Sequence, residues 1–501
     1  MSALGAPASL WLDTSERSER EPLRGRRRAD VTVVGAGIVG LTTALLLKRS
    51  GASVIVLEGR FVGAGATAYS TSKLSSLHGL TYARLLRRHG EEIARAYGHA
   101  NEAGIRAVSE LIGELGVDCN LRVKPNLTYT ESPDERESIE QEVEAALRVG
   151  LPASFVESAD LPFPIAAAVR FEDQAEFHPA RYLQALAEAV EGEGSHVHER
   201  SRAQRVSGGG PCTVETTAGG AVESEHVVVA TGLPFLDRSL FFARAHPERS
   251  YVIAAPVDDP PAAMYLSTEQ PAHSIRSHDL DGQEHLLVGG QSHKTGKADE
   301  IERYELLLAY GRERFGVATA THHWATQDYM PVDGVPYVGR LDPRSERIWT
   351  ATGFRKWGLA MGTSAARLIS DGIGGRENPW ADAFNSNRVR PRAAAGEFIK
   401  ENADVAFHFF ADRLTRRDPS DELQSGQGRV VGAGLGQRAL YRDDDGRLHS
   451  LSARCTHLGC IVAWNGAERT WDCPCHGSRF SAEGDVVQGP ATQPLERRPA
   501  P

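Results

Sequence analysis

Cys455-Thr456-His457-Leu458-Gly459-Cys460 is followed, after a short gap, by Cys473-Pro474-Cys475-His476-Gly477-Ser478. Each box offers a Cys and a His at close spacing, Cys455-x-His457 and Cys473-x-x-His476. Two thiolates and two imidazoles suit either zinc or a two-iron sulfide cluster with mixed ligation. Three details point away from zinc. The C-x-H spacing is tighter than that of ordinary fingers. Each box carries a further cysteine, Cys460 or Cys475, that a four-ligand zinc site leaves over. Both boxes contain glycine, which gives tight loops whose backbone N–H groups can face an anionic cluster.

The boxes resemble those of Rieske [2Fe–2S] proteins of the cytochrome bc1 kind. The resemblance implies that Cys455 and Cys473 hold one iron and His457 and His476 the other. It also implies a Cys460–Cys475 disulfide between the loops and a hydrogen bond from Ser478 to a cluster sulfur. Neutral imidazoles in place of two thiolates raise the reduction potential. One position departs from the pattern. The family usually has Tyr two places after the Ser, and here it is Phe480. The missing donor predicts a potential below that of the respiratory proteins. In the related domains the two histidines lie on exposed loops, which marks them as the expected exit for electrons.

Working outward, 501 residues are too many for one core, so two or three domains are expected. A net charge of −10 argues against a nucleic-acid partner and against an anionic membrane surface. The two remaining cysteines, Cys119 and Cys212, stand alone and read as inert thiols, so this is not a disulfide-stapled secreted chain. Arg26-Arg27-Arg28 looks like an export signal, but the apolar run after it has no small-residue cleavage site. Neither a signal peptide nor a transmembrane span is expected, and the cytoplasm is the expected location.

That apolar run carries a second decisive pattern. Residues 31–34, Val-Thr-Val-Val, read as a buried strand. Gly35-Ala36-Gly37-Ile38-Val39-Gly40 follows, then a stretch with helical spacing, then a strand closing on Glu58. G-x-G-x-x-G between strand and helix, with an acid about 20 residues on, is a full dinucleotide-binding context. The glycines allow a tight turn, approach to a pyrophosphate at the helix N-terminus, and close packing, while Glu58 can accept from ribose hydroxyls.

Gly63-Ala64-Gly65-Ala66-Thr67-Ala68-Tyr69-Ser70-Thr71-Ser72-Lys73 resembles the second flavin contact of the glycine/D-amino-acid oxidase (DadA-like) flavoproteins. The apolar strand ending in Ala230-Thr231-Gly232 fits the same family. So does Thr352-Gly353-Phe354-Arg355-Lys356-Trp357-Gly358-Leu359-Ala360-Met361-Gly362-Thr363, a turn that leads into a helix. The resemblance implies FAD held by Gly35, Gly37, Ile38, Gly40, Glu58, Gly65, Ala66, Thr67, residues 230–232, Gly353, Gly358, Leu359, Met361, Gly362 and Thr363. No motif marks a catalytic base. Lys73, His78, Tyr251 and Lys356 are the flavin-proximal candidates, and His178 before Pro179 reads as structural. The combination resembles the YhfW-type group, DadA-like flavoproteins with a C-terminal Rieske domain.

The expected fold class is α/β plus β. An N-terminal extension, 1–29, precedes a Rossmann-like FAD domain over 30–375. Its nucleotide-binding parts are about 30–83, 171–240 and 336–375. Its antiparallel substrate subdomain is about 84–170 and 241–335. A linker and connecting helix occupy 376–421, and a small all-β Rieske domain occupies 422–501. Val430 to Gly436 imitates a second fingerprint, but an alternating stretch and the turn Asp444-Asp445-Gly446 follow instead of a helix. With no second nucleotide domain, the flavin must take electrons from a substrate or another protein. The preferred reading is an amine or amino-acid dehydrogenase passing electrons through the cluster to an external one-electron acceptor, a protein or a quinone. A non-metabolic redox sensor or carrier is the alternative. An iron oxygenase needs two His and a carboxylate in a facial set, and His322-His323 and His273/His278 lack the spaced acid.

Overall fold

The computed structural model describes residues 3–296, 299–414 and 423–499. Two large sheets and two small ones organise them. The first is built on the fingerprint strand, Arg26–Val34, flanked in parallel by Val54–Leu57 and Ala221–Val229. His196–His198 and Ile348–Thr352 extend it on either side, also in parallel. Its central strands bury Val on both faces, as a parallel sheet covered by helices requires. One cover is the fingerprint helix, Ile38–Arg49, packed with Glu91–Leu115 and Gly358–Ile373.

The fingerprint strand starts at Arg26, inside what reads from sequence as an irregular extension. Arg26 and Arg28 lie on its exposed half and pair with Glu223 on the neighbouring strand. Leu10 and Trp11, in a short helix Leu10–Asp13, are fully buried. Trp11 Nε1 donates to the Ser70 carbonyl at 2.8 Å and Ser9 Oγ to the Ala68 carbonyl at 2.6 Å. The N-terminal segment therefore clamps the small-residue loop after the second strand.

The second sheet has nine strands, mostly antiparallel, with Ala245–Pro256, Gln283–Lys294 and His322–Pro331 at one end. Lys73–Leu74 and Ala167–Glu176 also belong to it. Division at residues 83 and 170 thus cuts through sheet membership, which sequence pattern alone does not display. His178 caps the helix Pro179–Val190 through Nδ1, which accepts from the Arg181 N–H.

The connecting helix spans Pro391–Leu414, within the stretch read from sequence as linker and helix. The expected start of the last domain, Glu422, lies outside the described residues. Beyond it a three-stranded sheet, Gly428–Val431, Arg438–Arg442 and Leu448–Ser452, confirms that the second glycine run opens a hairpin. A four-stranded sheet, Ala463–Asn465, Thr470–Asp472, Arg479–Ser481 and Val486–Gln488, completes the domain. Trp464 and Trp471 face each other across two of these strands, with ring centroids 4.8 Å apart.

Candidate functional site

A cavity of about 1260 Å³ lies where the two large sheets meet, and residues of the C-terminal domain form part of its wall. That exceeds the usual volume of a single small-ligand pocket, roughly 300–1,000 Å³. Gly35, Gly37, Ile38, Glu58, Gly65, Ala66 and Thr67 line it. So do residues 230–232, Gly358 and Leu359. Thr67 Oγ1 accepts from the Ile38 N–H at 3.2 Å, which joins the small-residue loop to the helix N-terminus. Glu58 accepts from the N–H groups of Ala36 and Arg60, both at 2.9 Å, and burial still pushes its carboxyl up.

Gly40, Gly353, Met361, Gly362 and Thr363 do not line the cavity. A Cβ on Gly40 would stand 1.9 Å from the Gly35 carbonyl oxygen, so this glycine serves the turn itself. Gly353 packs on Pro331, and Gly362 faces Ile38 and Val39 where two helices cross. Met361 is buried in the core and Thr363 Oγ1 donates to the Leu359 carbonyl within its own helix. The helix begins at Gly358, so its cavity-facing N-terminus is earlier than the motif suggests.

Of the four catalytic candidates, Lys73, Tyr251 and Lys356 line the cavity and His78 does not. His78 lies behind Trp357, stacked at 4.3 Å, with its ring nitrogens bonded to Tyr97 Oη and the Ser75 carbonyl. Burial lowers it to about 3. Lys73 Nζ donates to the Tyr265 carbonyl, and burial, with Arg276 nearby, holds it well below the usual lysine range. The Tyr251 hydroxyl pairs with His293 Nε2 at 2.7 Å. Lys356 Nζ contacts Glu248 at 3.0 Å and Ser292 Oγ at 2.7 Å. Asp328, which no motif marked, also faces the cavity, and burial raises its carboxyl to about 6.

The two cluster boxes form tight loops side by side. Gly459 N–H donates to the Cys455 carbonyl at 2.9 Å, and Gly477 N–H to the Cys473 carbonyl at 3.1 Å. Cys460 and Cys475 form a disulfide, which leaves Cys455 and Cys473 as buried free thiols. Their thiols hydrogen-bond to each other. That bond, with those from the His457 N–H and the Ser478 hydroxyl, holds Cys455 below the usual thiol range, and the same bond with burial pushes Cys473 up. Ser478 Oγ accepts from the Ala491 N–H at 3.0 Å. Burial lowers His476 to about 3, which keeps its imidazole neutral. His457 Nδ1 is buried without a hydrogen-bond partner. An unpartnered buried imidazole nitrogen and two free buried thiols fit a metal centre, and the disulfide leaves two Cys and two His as its ligand set.

The expected exposure of the histidines is overturned. His457 Nε2 meets Asp237 Oδ1 at 2.9 Å, and the His457 side chain is only 5% exposed. Phe242 packs edge-on against His457 and His476, with centroids 5.8 and 5.1 Å away. Both residues belong to the flavoprotein part of the chain, so the imidazole edge faces inward.

More contacts fix this docking. Gln327 Nε2 donates to the Gly477 carbonyl at 2.8 Å, and Tyr329 Oη to the Gly489 carbonyl at 3.3 Å. Gln327 and Tyr329 both line the cavity. Arg202 Nη2 donates to the Val486 carbonyl at 2.8 Å. Arg249, fully buried, pairs with Glu468, which Arg479 also reaches at 2.5 Å. The connecting helix adds Asn402 Nδ2 to the Ala243 carbonyl at 2.9 Å. Among the described residues, histidines weighed for an oxygenase centre have other partners: His273 stacks on Tyr310, His278 packs on Trp11 and His322 pairs with Asp13.

Residues 30–372 match the family described as FAD dependent oxidoreductase. The chain belongs to that family. Residues 415–499 match the Rieske [2Fe-2S] domain. The flavoprotein part thus takes FAD and the terminal part a [2Fe–2S] cluster. A candidate Rieske 2Fe-2S iron-sulfur protein, YhfW of Bacillus subtilis (strain 168), is 34% identical over 498 residues, 98% of this chain and 97% of that protein. Among solved structures, L-amino acid deaminase from Proteus vulgaris superposes with a TM-score of 0.60 at 17% identity, covering 77% of this chain and 100% of that one. Glycine oxidase from Geobacillus kaustophilus gives 0.57 at 18% identity, covering 72% and 99%. At such identity the two structures show the fold. The FAD dependent oxidoreductase family accounts for both large sheets, and no helix among the described residues is long and apolar enough to cross a membrane.

Proposed function

We propose that the chain is a cytoplasmic dehydrogenase for a small amine or amino acid, feeding an external one-electron acceptor, a protein or a quinone, through its own cluster. Bound FAD supplies hydride acceptance and the conversion from two-electron to one-electron chemistry, and the cluster supplies a one-electron relay. Cys455, His457, Cys473 and His476 would hold the cluster. The cavity-lining glycine turn, the 65–67 loop, residues 230–232 and the Gly358 helix start would hold FAD.

The remaining residues act on substrate and protons. Asp328, whose carboxyl burial pushes up to about 6, is placed to exchange a proton at a carboxylate oxygen near neutral pH. Its oxygens accept from the backbone N–H groups of Tyr329 at 2.8 Å and Lys356 at 2.5 Å, which fixes its orientation. Lys356, paired with Glu248, orients an anionic group of the substrate. Lys73, held well below the usual lysine range by burial, is a second candidate for proton exchange, on the antiparallel sheet. The docked C-terminal domain excludes water from its side of the cavity.

The observation that carries this reading is the strand His322–Pro331. Gln327 and Tyr329 line the cavity and hydrogen-bond to the cluster-bearing domain in the same stretch. Anaerobic screening of amines and amino acids, following flavin bleaching, tests it. A donor that bleaches the flavin supports it. Bleaching by a protein donor alone, with every amine and amino acid inert, favours the carrier or sensor reading.

A further inference from the structure

The contact between Asp237 and His457 has a role that docking alone does not require. Asp237 opens a short turn, Asp237–Ser239, on the flavoprotein side. Its carboxylate meets His457 Nε2 at 2.9 Å, while Nδ1 of the same ring is buried and unpartnered. One ring nitrogen is thus left for iron, and the other is held by a full negative charge. The cations nearest in sequence point elsewhere. Arg238 donates to the Val206 carbonyl at 3.3 Å, and Arg244 to the Ser386 carbonyl at 2.9 Å. The Phe242 ring on both histidines keeps the far side of the contact apolar.

We propose that Asp237 is a positioning residue that lowers the reduction potential of the cluster through the outer nitrogen of His457. This rests on His457 being an iron ligand through Nδ1 and is independent of which substrate reduces the flavin. A carboxylate hydrogen-bonded to a ligand's outer nitrogen increases electron donation to the metal. It also stabilises the more positive, oxidised cluster over the reduced one. The side chain of Asp237 is 48% exposed, so solvent screens the charge and the effect is moderate.

The test is an EPR-monitored redox titration of the full-length, cofactor-loaded protein and its Asp237→Asn, Asp237→Ala and Asp237→Glu variants. Asn removes the charge and keeps a hydrogen-bonding group, so it isolates electrostatics. The expected result is a tighter electron affinity in Asn and Ala, by roughly tenfold, which for a one-electron couple is about 59 mV upward. Glu restores the parental value in part. An intact cluster with an unmoved potential in both Asn and Ala overturns the proposal. So does loss of the cluster in both with flavin retained, because the carboxylate then serves assembly. A shift in Ala that Asn does not reproduce also overturns it, since the effect is then not one of charge.

Discussion

Gly477→Ala separates the two redox domains with one methyl group. Gly477 has φ +75°, and a Cβ there would lie 2.5 Å from Gln327 Nε2 and 2.7 Å from Pro247 Cβ. The backbone conformation alone costs roughly 1–2 kcal/mol for an L residue. Relief of the clash is not cheap. Pro247 is a ring without rotamers to escape into, and Gln327 is tied by hydrogen bonds to Thr295 at 2.8 Å and Tyr329 at 3.3 Å. Forcing a methyl into such packing costs about 1–3 kcal/mol more. The backbone cost is paid docked or undocked, so only the clash, about 1–3 kcal/mol, weighs against the docked state, which lowers its population roughly fivefold or more relative to the undocked one. The matched control is Gly446→Ala, with φ +82° and nothing within 4 Å, which carries the backbone cost without the wedge. Stopped-flow spectroscopy of reduced-flavin protein, with iron content and EPR checked on the same samples, reads the rate of cluster reduction. Gly477→Ala is expected to slow it while Gly446→Ala leaves it unchanged. Equal rates in the two variants, with intact clusters, would refute the account of a fixed interface.

Other outcomes follow from the same geometry. Phe480→Tyr places a hydroxyl in the buried cluster domain and is expected to raise the midpoint potential, read by EPR titration. Cys460→Ser with Cys475→Ser releases the two loops, whose bridged cysteines are 15 residues apart; a bridge of that span is worth about 3 kcal/mol, and iron analysis is expected to show lower cluster occupancy. His178 is buried and held at about 3, against 6.5 when free, so its contribution to stability is full above pH 6.5 and is lost as pH falls toward 3. At pH 5 that loss is about 2 kcal/mol. Chemical denaturation across pH 7 to 5 is expected to show a shallower decline in His178→Gln than in the parent.

The parts legible in the sequence are those whose chemistry is local. Gly35 to Gly40 and Glu58 lie close along the chain, and the two cluster boxes carry their ligand types at fixed short spacing. The disulfide came from resemblance, and the fold places Cys460 against Cys475. What failed depended on what covers what. His457 and His476 were expected at the surface, because nothing near them in sequence announces that Asp237 and Phe242, over 200 residues away, close over them. Met361 to Thr363 sit in a stretch that resembles a cofactor contact, but the helix starts at Gly358 and turns those side chains into the core. Arg26 to Arg28 hid the beginning of a strand because its exposed half needs no apolar residues. Asp328 and Gln327 had no signal at all, since their importance comes from the two surfaces their strand joins.

Electron exchange between flavin and cluster, within one chain and across a fixed contact, is the step on which the proposed function depends. Rapid-freeze EPR on anaerobic protein, reduced by a donor that bleaches the flavin, tests it most directly at several protein concentrations. The reduced-cluster signal is expected to grow in after the flavin bleaches, at a rate independent of protein concentration. A cluster that stays oxidised while the flavin remains reduced, or whose reduction accelerates in proportion to protein concentration, would contradict it.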